Sequence, residues 1–245
     1  MDASSGQAPQ PCPRRKSMSP DALVRRPLAV VFDLDGTLVD SAEDLASALD
    51  ATLTAFARPT LGVAGLRSLI GDGAKRLVED AWRATGKPAD DATLAAALSH
   101  FRAEYDACGF ATTRLYPGVE GVLVRLAKVG IRAGVCTNKP GGPARTILRR
   151  LGLASLLPVV IGSDETKRRK PDPEHLYDVL ARLGVAPEDA VYVGDNEHDA
   201  AIGRLAGCRT VLVRWGYCRV PIEELPVDAL VSDAAALSAA LGLVD

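Results

Sequence analysis

An apolar strand that runs straight into two acids constrains this chain more than any other feature. Leu28-Ala29-Val30-Val31-Phe32 is apolar throughout, and Asp33-Leu34-Asp35-Gly36-Thr37 follows at once. A continuous apolar run of this length belongs to a strand covered on both faces, the usual condition of a parallel sheet. Alternation along the strand sends Asp33 and Asp35 to the same side. Two carboxylates crowded at a strand end repel each other and lose hydration, so positive charge must compensate. A hard divalent cation meets that need, because Mg²⁺ is held by one or two carboxylates while keeping waters and phosphate oxygens. Gly36 and Thr37 are then expected to bring backbone N–H groups close to an anion at the same spot.

The rest of the chain has ordinary globular composition. Its 245 residues are 47% hydrophobic and 24% charged, enough for one large or two modest domains. A net charge of −2 gives no basic field for nucleic acid. No apolar run approaches the ~20 residues a membrane helix needs, so no membrane partner is expected. The five cysteines, Cys12, Cys108, Cys136, Cys208 and Cys218, are odd in number and lack a CxxC pair. They fit a reducing, cytoplasmic setting better than a disulfide framework or a zinc site. Residues 1–27 are rich in Ser, Pro, Gln and Arg without apolar periodicity, and read as a flexible tail in which Met18 is an alternative start. Arg14-Arg15-Lys16 is not accompanied by the apolar core or amphipathic helix of a targeting peptide.

From Leu28 onward strands and helices alternate, which favours a parallel sheet with helices on both faces. Ile131–Cys136, Leu157–Ile161, Ala190–Val193 and Arg209–Val213 read as further strands, and Asp233–Leu241 as a closing helix. Residues 40–116 break the rhythm. They show helical pattern only, beginning at Ser41-Ala42-Glu43-Asp44 and continuing through Leu66–Ile70, Ala74–Ala84 and Ala92–Tyr105. Ordinary connections run ~4–6 residues, so this is an inserted unit.

Three more motifs follow later strand ends: Thr137-Asn138, Lys170-Pro171 and Gly194-Asp195-Asn196-Glu197-His198-Asp199. Together with Asp33-Leu34-Asp35-Gly36-Thr37 they resemble, in order, the four motifs of the haloacid dehalogenase superfamily. That resemblance implies an α/β fold: a Rossmann-like doubly wound parallel sheet core at 28–40 and 116–245, with an α-helical cap at 41–115. It implies a phosphomonoester hydrolase in which Asp33 is the nucleophile and Asp35 the general acid and base. Thr137 and Asn138 would hold phosphate oxygens along with Gly36 and Thr37. Lys170 would neutralise phosphate charge and position the carboxylates. Asp33, the backbone carbonyl of Asp35 and Asp195 would bind Mg²⁺, and Asp199 would bind a metal water or steady Lys170. Glu197 and His198 are expected to point elsewhere.

Within the superfamily, Phe32–Ser41, Ile70-Gly71-Asp72-Gly73, Thr137-Asn138-Lys139-Pro140 and Trp215-Gly216-Tyr217 are similar to segments of bacterial phosphoglycolate phosphatases. A small phosphorylated metabolite, 2-phosphoglycolate, is the implied substrate. Gly71, Gly73 and Lys75 of the cap are the expected carboxylate contacts, and the assembly is expected to be a monomer or homodimer. Sugar phosphates, pyrophosphate and β-phosphoglucomutase-like transfer are the alternatives. A non-enzymatic binding protein of this fold is disfavoured because every motif acid is present.

Overall fold

The computed structural model describes residues 26–243. The expected tail, with Cys12 and Met18, lies outside them apart from Arg26 and Pro27. The chain opens with β1 (Ala29–Phe32) and a two-residue strand, β2 (Val39–Asp40). Four helices follow: α1 (Ala42–Ala55), α2 (Gly62–Arg67), α3 (Gly73–Ala84) and α4 (Asp91–Ala107). It returns through β3 (Arg114–Leu115) and alternates through α5 (Val119–Lys128), β4 (Arg132–Cys136), α6 (Gly141–Arg150) and β5 (Val159–Ile161). Then come α7 (Glu174–Leu183), β6 (Ala190–Gly194), α8 (Glu197–Ala206), β7 (Arg209–Val213), β8 (Ala229–Val231) and α9 (Ala234–Ala240).

Six strands form one parallel sheet in the order β5-β4-β1-β6-β7-β8. The chain builds outward from β1 to β5 on one side, then reverses to β6 on the other. Ligands of open α/β sheets bind at the carboxyl end of such a reversal. Register makes the edge common, since Phe32 lies level with Val135 of β4 and with Val193 of β6. The residues just beyond these positions, Asp33, Thr137 and Asp195, therefore emerge side by side.

Double-sided burial explains the continuous apolar runs. Val30, Phe32, Val135 and Val193 face one core with α5, α6 and α9, while Ala29, Val31, Cys136 and Tyr192 face the other with α7 and α8. The first core runs on into the inserted helices through Leu45 and Leu49 of α1 and Phe101 of α4. Fully burying one such side chain contributes about 1.5–3 kcal/mol, so the insert and the sheet are held by shared apolar packing. Within the insert, Phe56 meets Trp82 edge-on at 5.3 Å. Buried Asp44 pins the returning chain, accepting from Thr113 N–H at 2.7 Å and its hydroxyl at 2.6 Å.

Several elements differ from the sequence expectation. β2 and β3 pair antiparallel, Val39 opposite Leu115, and form the ribbon that joins insert to sheet. Two residues show no periodicity, so neither strand was legible. β8 is a three-residue edge strand and was missed for the same reason. The helix expected at Leu66–Ile70 is α2, which ends at Arg67. Gly71 (φ +130°) and Gly73 (φ +80°) turn the chain beyond it in a way helical residues cannot. Leu157 is buried ahead of β5 without joining the ladder.

Candidate active site

Three buried carboxylates meet at the end of the sheet. Asp33 follows β1, Asp195 follows β6, and Asp199 lies in the first turn of α8. Each offers an oxygen within 4.8 Å of the others. Lys170 is the cation among them, with Nζ 2.9 Å from Asp33 Oδ1 and 2.8 Å from Asp199 Oδ1. Asp199 is fully occupied by the protein. Its Oδ1 also accepts from Tyr192 at 2.8 Å, and its Oδ2 accepts the Asp195 N–H at 2.9 Å, so it steadies Lys170. Gly194 makes this possible, because a Cβ there would lie 2.2 Å from that of Asp199.

Positive charge is insufficient for this cluster. Burial pushes the Asp33 carboxyl up to about 6, and burial with Asp199 beside it drives Asp195 well above the usual carboxylate range. Burial works the same way on Asp199, but Lys170 outweighs it and holds that carboxyl low. Burial disfavours the Lys170 charge, yet Asp199 and Asp33 overcome it and raise the ammonium above its ordinary range. Asp33 Oδ1 has Lys170 near it but accepts no well-directed hydrogen bond. An all-oxygen, buried and under-neutralised set of this kind fits Mg²⁺.

Asp35 sits beside the cluster with partners of its own. Ser41 Oγ donates to its Oδ1 at 2.6 Å, and Lys139 Nζ lies 3.1 and 3.0 Å from its two oxygens. Ser41 thus gives its hydroxyl to Asp35 and leaves the start of α1 without a side-chain cap. The Lys139 side chain is 5% exposed, and its ammonium stands 4.6 Å from the centre of the Tyr105 ring of α4. Burial opposes its charge, but Asp35 prevails and raises it above the ordinary lysine range. Sequence reasoning gave Lys139 no role. A lysine three residues past a strand end was the available signal, but its burial depends on α4.

The turn after Asp35 corrects one expectation. Gly36 N–H donates to Val39 O at 2.9 Å and Thr37 N–H to Leu34 O at 3.3 Å, so both close the turn and neither faces an anion. Gly36 (φ +86°) is required for a different reason: a Cβ there would lie 2.3 Å from Asp195 Oδ2. Thr37 Oγ1 donates to Asp195 Oδ1 at 3.3 Å. Trp215 Nε1 holds Thr37 O at 3.2 Å, and Tyr217 N–H holds Asp195 Oδ2 at 2.7 Å. The Trp215-Gly216-Tyr217 segment therefore clamps turn and acid together.

A cavity of about 500 Å³ opens between this edge and the inserted helices, reaching Asp33, Asp35, Thr137 and Asn138 on one side and Gly71 and Gly73 on the other. Thr137 Oγ1 accepts Lys139 N–H at 3.2 Å. Asn138 Nδ2 donates to Gly71 O at 3.1 Å and to Lys170 O at 3.3 Å, joining the cap loop to the third motif. Lys75 is a second correction. Its side chain is 71% exposed, pairs with Glu79 at 3.8 Å along α3, and does not line the cavity. Glu197 and His198 point away from the acid cluster as expected, Glu197 to Arg219 and His198 to Asp72 of the cap loop. Asp72 accepts from Arg219 at 2.6 Å and lies 2.6 Å from His198 Nε2, while Arg219 also donates to Glu197 at 3.0 Å. The charge of Asp72 is thus matched by the core and is not turned toward the cavity.

Comparison with known proteins agrees with this geometry. The haloacid dehalogenase-like hydrolase profile matches residues 30–213. A phosphoglycolate phosphatase of Rhodospirillum rubrum is 43% identical over 220 residues, covering 88% of this chain and 91% of that protein. One from Cereibacter sphaeroides is 40% identical over 203 residues, 83% of this chain and 92% of its own. Among solved structures, a predicted phosphoglycolate phosphatase from Haemophilus somnus superposes with a TM-score of 0.79 at 29% identity, covering 85% of this chain and 95% of that one. CbbY from Rhodobacter sphaeroides, solved with phosphate, shares the fold at a TM-score of 0.76 and 24% identity, over 88% and 99% of the two chains. With its sheet order, three motifs at strand ends, Lys170 in the loop ahead of α7 and its inserted helices, this chain belongs to the haloacid dehalogenase-like hydrolase family, among the phosphatases.

Proposed function

We propose that this protein hydrolyses 2-phosphoglycolate to glycolate and phosphate through an aspartyl-phosphate at Asp33. The observation that carries the reading is Asp33 itself, a buried carboxylate at the cavity floor with Lys170 at 2.9 Å and Asp35 in the adjoining wall. An Asp33 oxygen attacks phosphorus, the bond from phosphorus to the glycolate oxygen breaks, and Asp35 gives that oxygen a proton. Asp35 then takes a proton from water as the water oxygen attacks phosphorus and releases Asp33. These are the nucleophilic and general acid–base parts that phosphoryl transfer requires.

Lys170, steadied by Asp199, supplies fixed positive charge beside the attacked phosphoryl group and orients Asp33 directly. Ser41 and Lys139 hold the Asp35 carboxylate at the cavity wall between turnovers. Asp33 and Asp195, with the Asp35 carbonyl, are the residues that would hold Mg²⁺. When bound, the ion offsets the charge that the three buried carboxylates and the phosphate bring together.

The names of the relatives, phosphoglycolate phosphatases, support 2-phosphoglycolate as the phosphoester. Phosphate release from a panel of substrates tests this. The expected result is a higher kcat/KM for 2-phosphoglycolate than for glucose phosphates, pyrophosphate or p-nitrophenyl phosphate. A sugar phosphate ranked first would replace the substrate and leave the phosphatase chemistry standing.

A further inference from the structure

The substrate proposed above carries a carboxylate as well as a phosphate, and a second anion entering the cavity needs a cation. Two cations line the wall. Lys139 is already paired with both oxygens of Asp35. The other is Arg102 on α4, whose side chain has no ion pair or hydrogen bond with any other described residue. Lys170 is held by Asp33 and Asp199, and Lys75 lies outside the cavity.

Arg102 is also well placed. Phe101, Arg102 and Tyr105 line the cavity together from one face of α4. Tyr105 lies against Lys139, which fixes where this face meets the catalytic edge. Arg102 stands one helical turn from Tyr105, on the side of neighbours three residues apart. A guanidinium presents a planar fork that matches a carboxylate in two parallel hydrogen bonds. Because Arg102 belongs to the inserted helices, a carboxylate bound there ties the cap to a substrate whose phosphate is held by the sheet edge.

We propose that Arg102 is the specificity-determining residue that binds the substrate carboxylate. The assignment rests on the 2-phosphoglycolate reading. It is tested with Arg102→Met and Arg102→Lys, comparing steady-state kinetics on 2-phosphoglycolate and on ethyl phosphate, in which a methyl group replaces the carboxylate. Hydrogen bonds to a charged group at this strength translate to about 30-fold in kcat/KM, and that loss is expected for Arg102→Met on 2-phosphoglycolate, chiefly in KM. Ethyl phosphate turnover should change less than about 3-fold, because no group of that substrate reaches the guanidinium. Arg102→Lys should recover part of the loss by restoring charge without the fork. Thermal melts should be close to wild type, as for other solvent-reaching positions.

Equal losses on both substrates, or an undiminished preference for 2-phosphoglycolate in Arg102→Met, would overturn the role of Arg102 and leave the substrate reading intact. A wild-type protein with no preference for 2-phosphoglycolate over ethyl phosphate overturns the substrate reading, and the Arg102 assignment with it.

Discussion

Removing Lys139 probes the least anticipated part of the site. At 3.0 Å from Asp35 its attraction is about 5 kcal/mol at the effective dielectric of 20 that suits protein charge pairs. The Asp35 side chain is 14% exposed, and water there screens part of this, leaving a net coupling of about 2–3 kcal/mol. Lys139→Met alone leaves a carboxylate that can rehydrate, with Ser41 still donating, so the fold should lose about 2 kcal/mol. That corresponds to a fall in Tm of about 4–8 °C for a chain of this size. Asp35→Asn alone strands a buried ammonium and should cost more, about 3 kcal/mol. The double variant should be less destabilised than the sum of the two by the coupling energy. Urea unfolding of all four proteins measures it. Turnover of Lys139→Met should fall on the order of 100-fold, since Asp35 loses the contact that holds it for proton transfer. Additivity within about 0.5 kcal/mol in the stability cycle would refute the pairing.

Two other outcomes follow from the electrostatics. Exhaustive chelation should silence the enzyme and Mg²⁺ restore it, while Ca²⁺, which prefers more ligands in looser geometry, should inhibit. Mg²⁺ should also raise Tm by relieving the crowded carboxylates, and full activity after chelation, or an unmoved Tm, would contradict the site. His175 is buried with Nε2 3.1 Å from Ile161 O, and burial lowers its pKa to about 4. Between pH 6.5 and 4 the unfolded chain takes up a proton that the fold refuses, so stability is complete above pH 6.5 and falls by about 3 kcal/mol on acidification to pH 4. His175→Gln keeps a donor for Ile161 O without the titration, so urea midpoints should flatten over that window. An unchanged slope would assign the acid sensitivity to other groups.

What the sequence discloses and what it withholds divide along a physical line. Asp33, Thr137 and Asp195 were legible because each terminates an apolar run, and parallel strands in register must end together. The α/β core with inserted helices follows from the same runs and from the long helical interval between them. Lys139, Arg102 and Arg219 were not legible, because Tyr105 over Lys139, the cavity beside Arg102 and Asp72 against Arg219 exist only once the inserted segment packs on the sheet. Gly36 and Thr37 show the same limit at short range. Their residue types suit an anion-binding loop and a closed turn equally, and only the bond from Gly36 N–H to Val39 O decides between them. Lys75 failed for another reason. It sits in the first turn of α3 beside the right loop, but the phase of that helix carries it outward to Glu79.

Covalent attack by Asp33 is the claim on which everything else depends. Rapid acid quenching during turnover of 2-phosphoglycolate labelled with ³²P should trap a phosphate on the protein. An acyl phosphate is stable in acid and cleaved by hydroxylamine, and borohydride reduction followed by peptide mass spectrometry should place it at Asp33. The account predicts label at that residue in the wild type and none in Asp33→Asn, whose fold should remain intact. Label on Asp35, or turnover by Asp33→Asn at more than a few per cent of the wild-type rate, would contradict it.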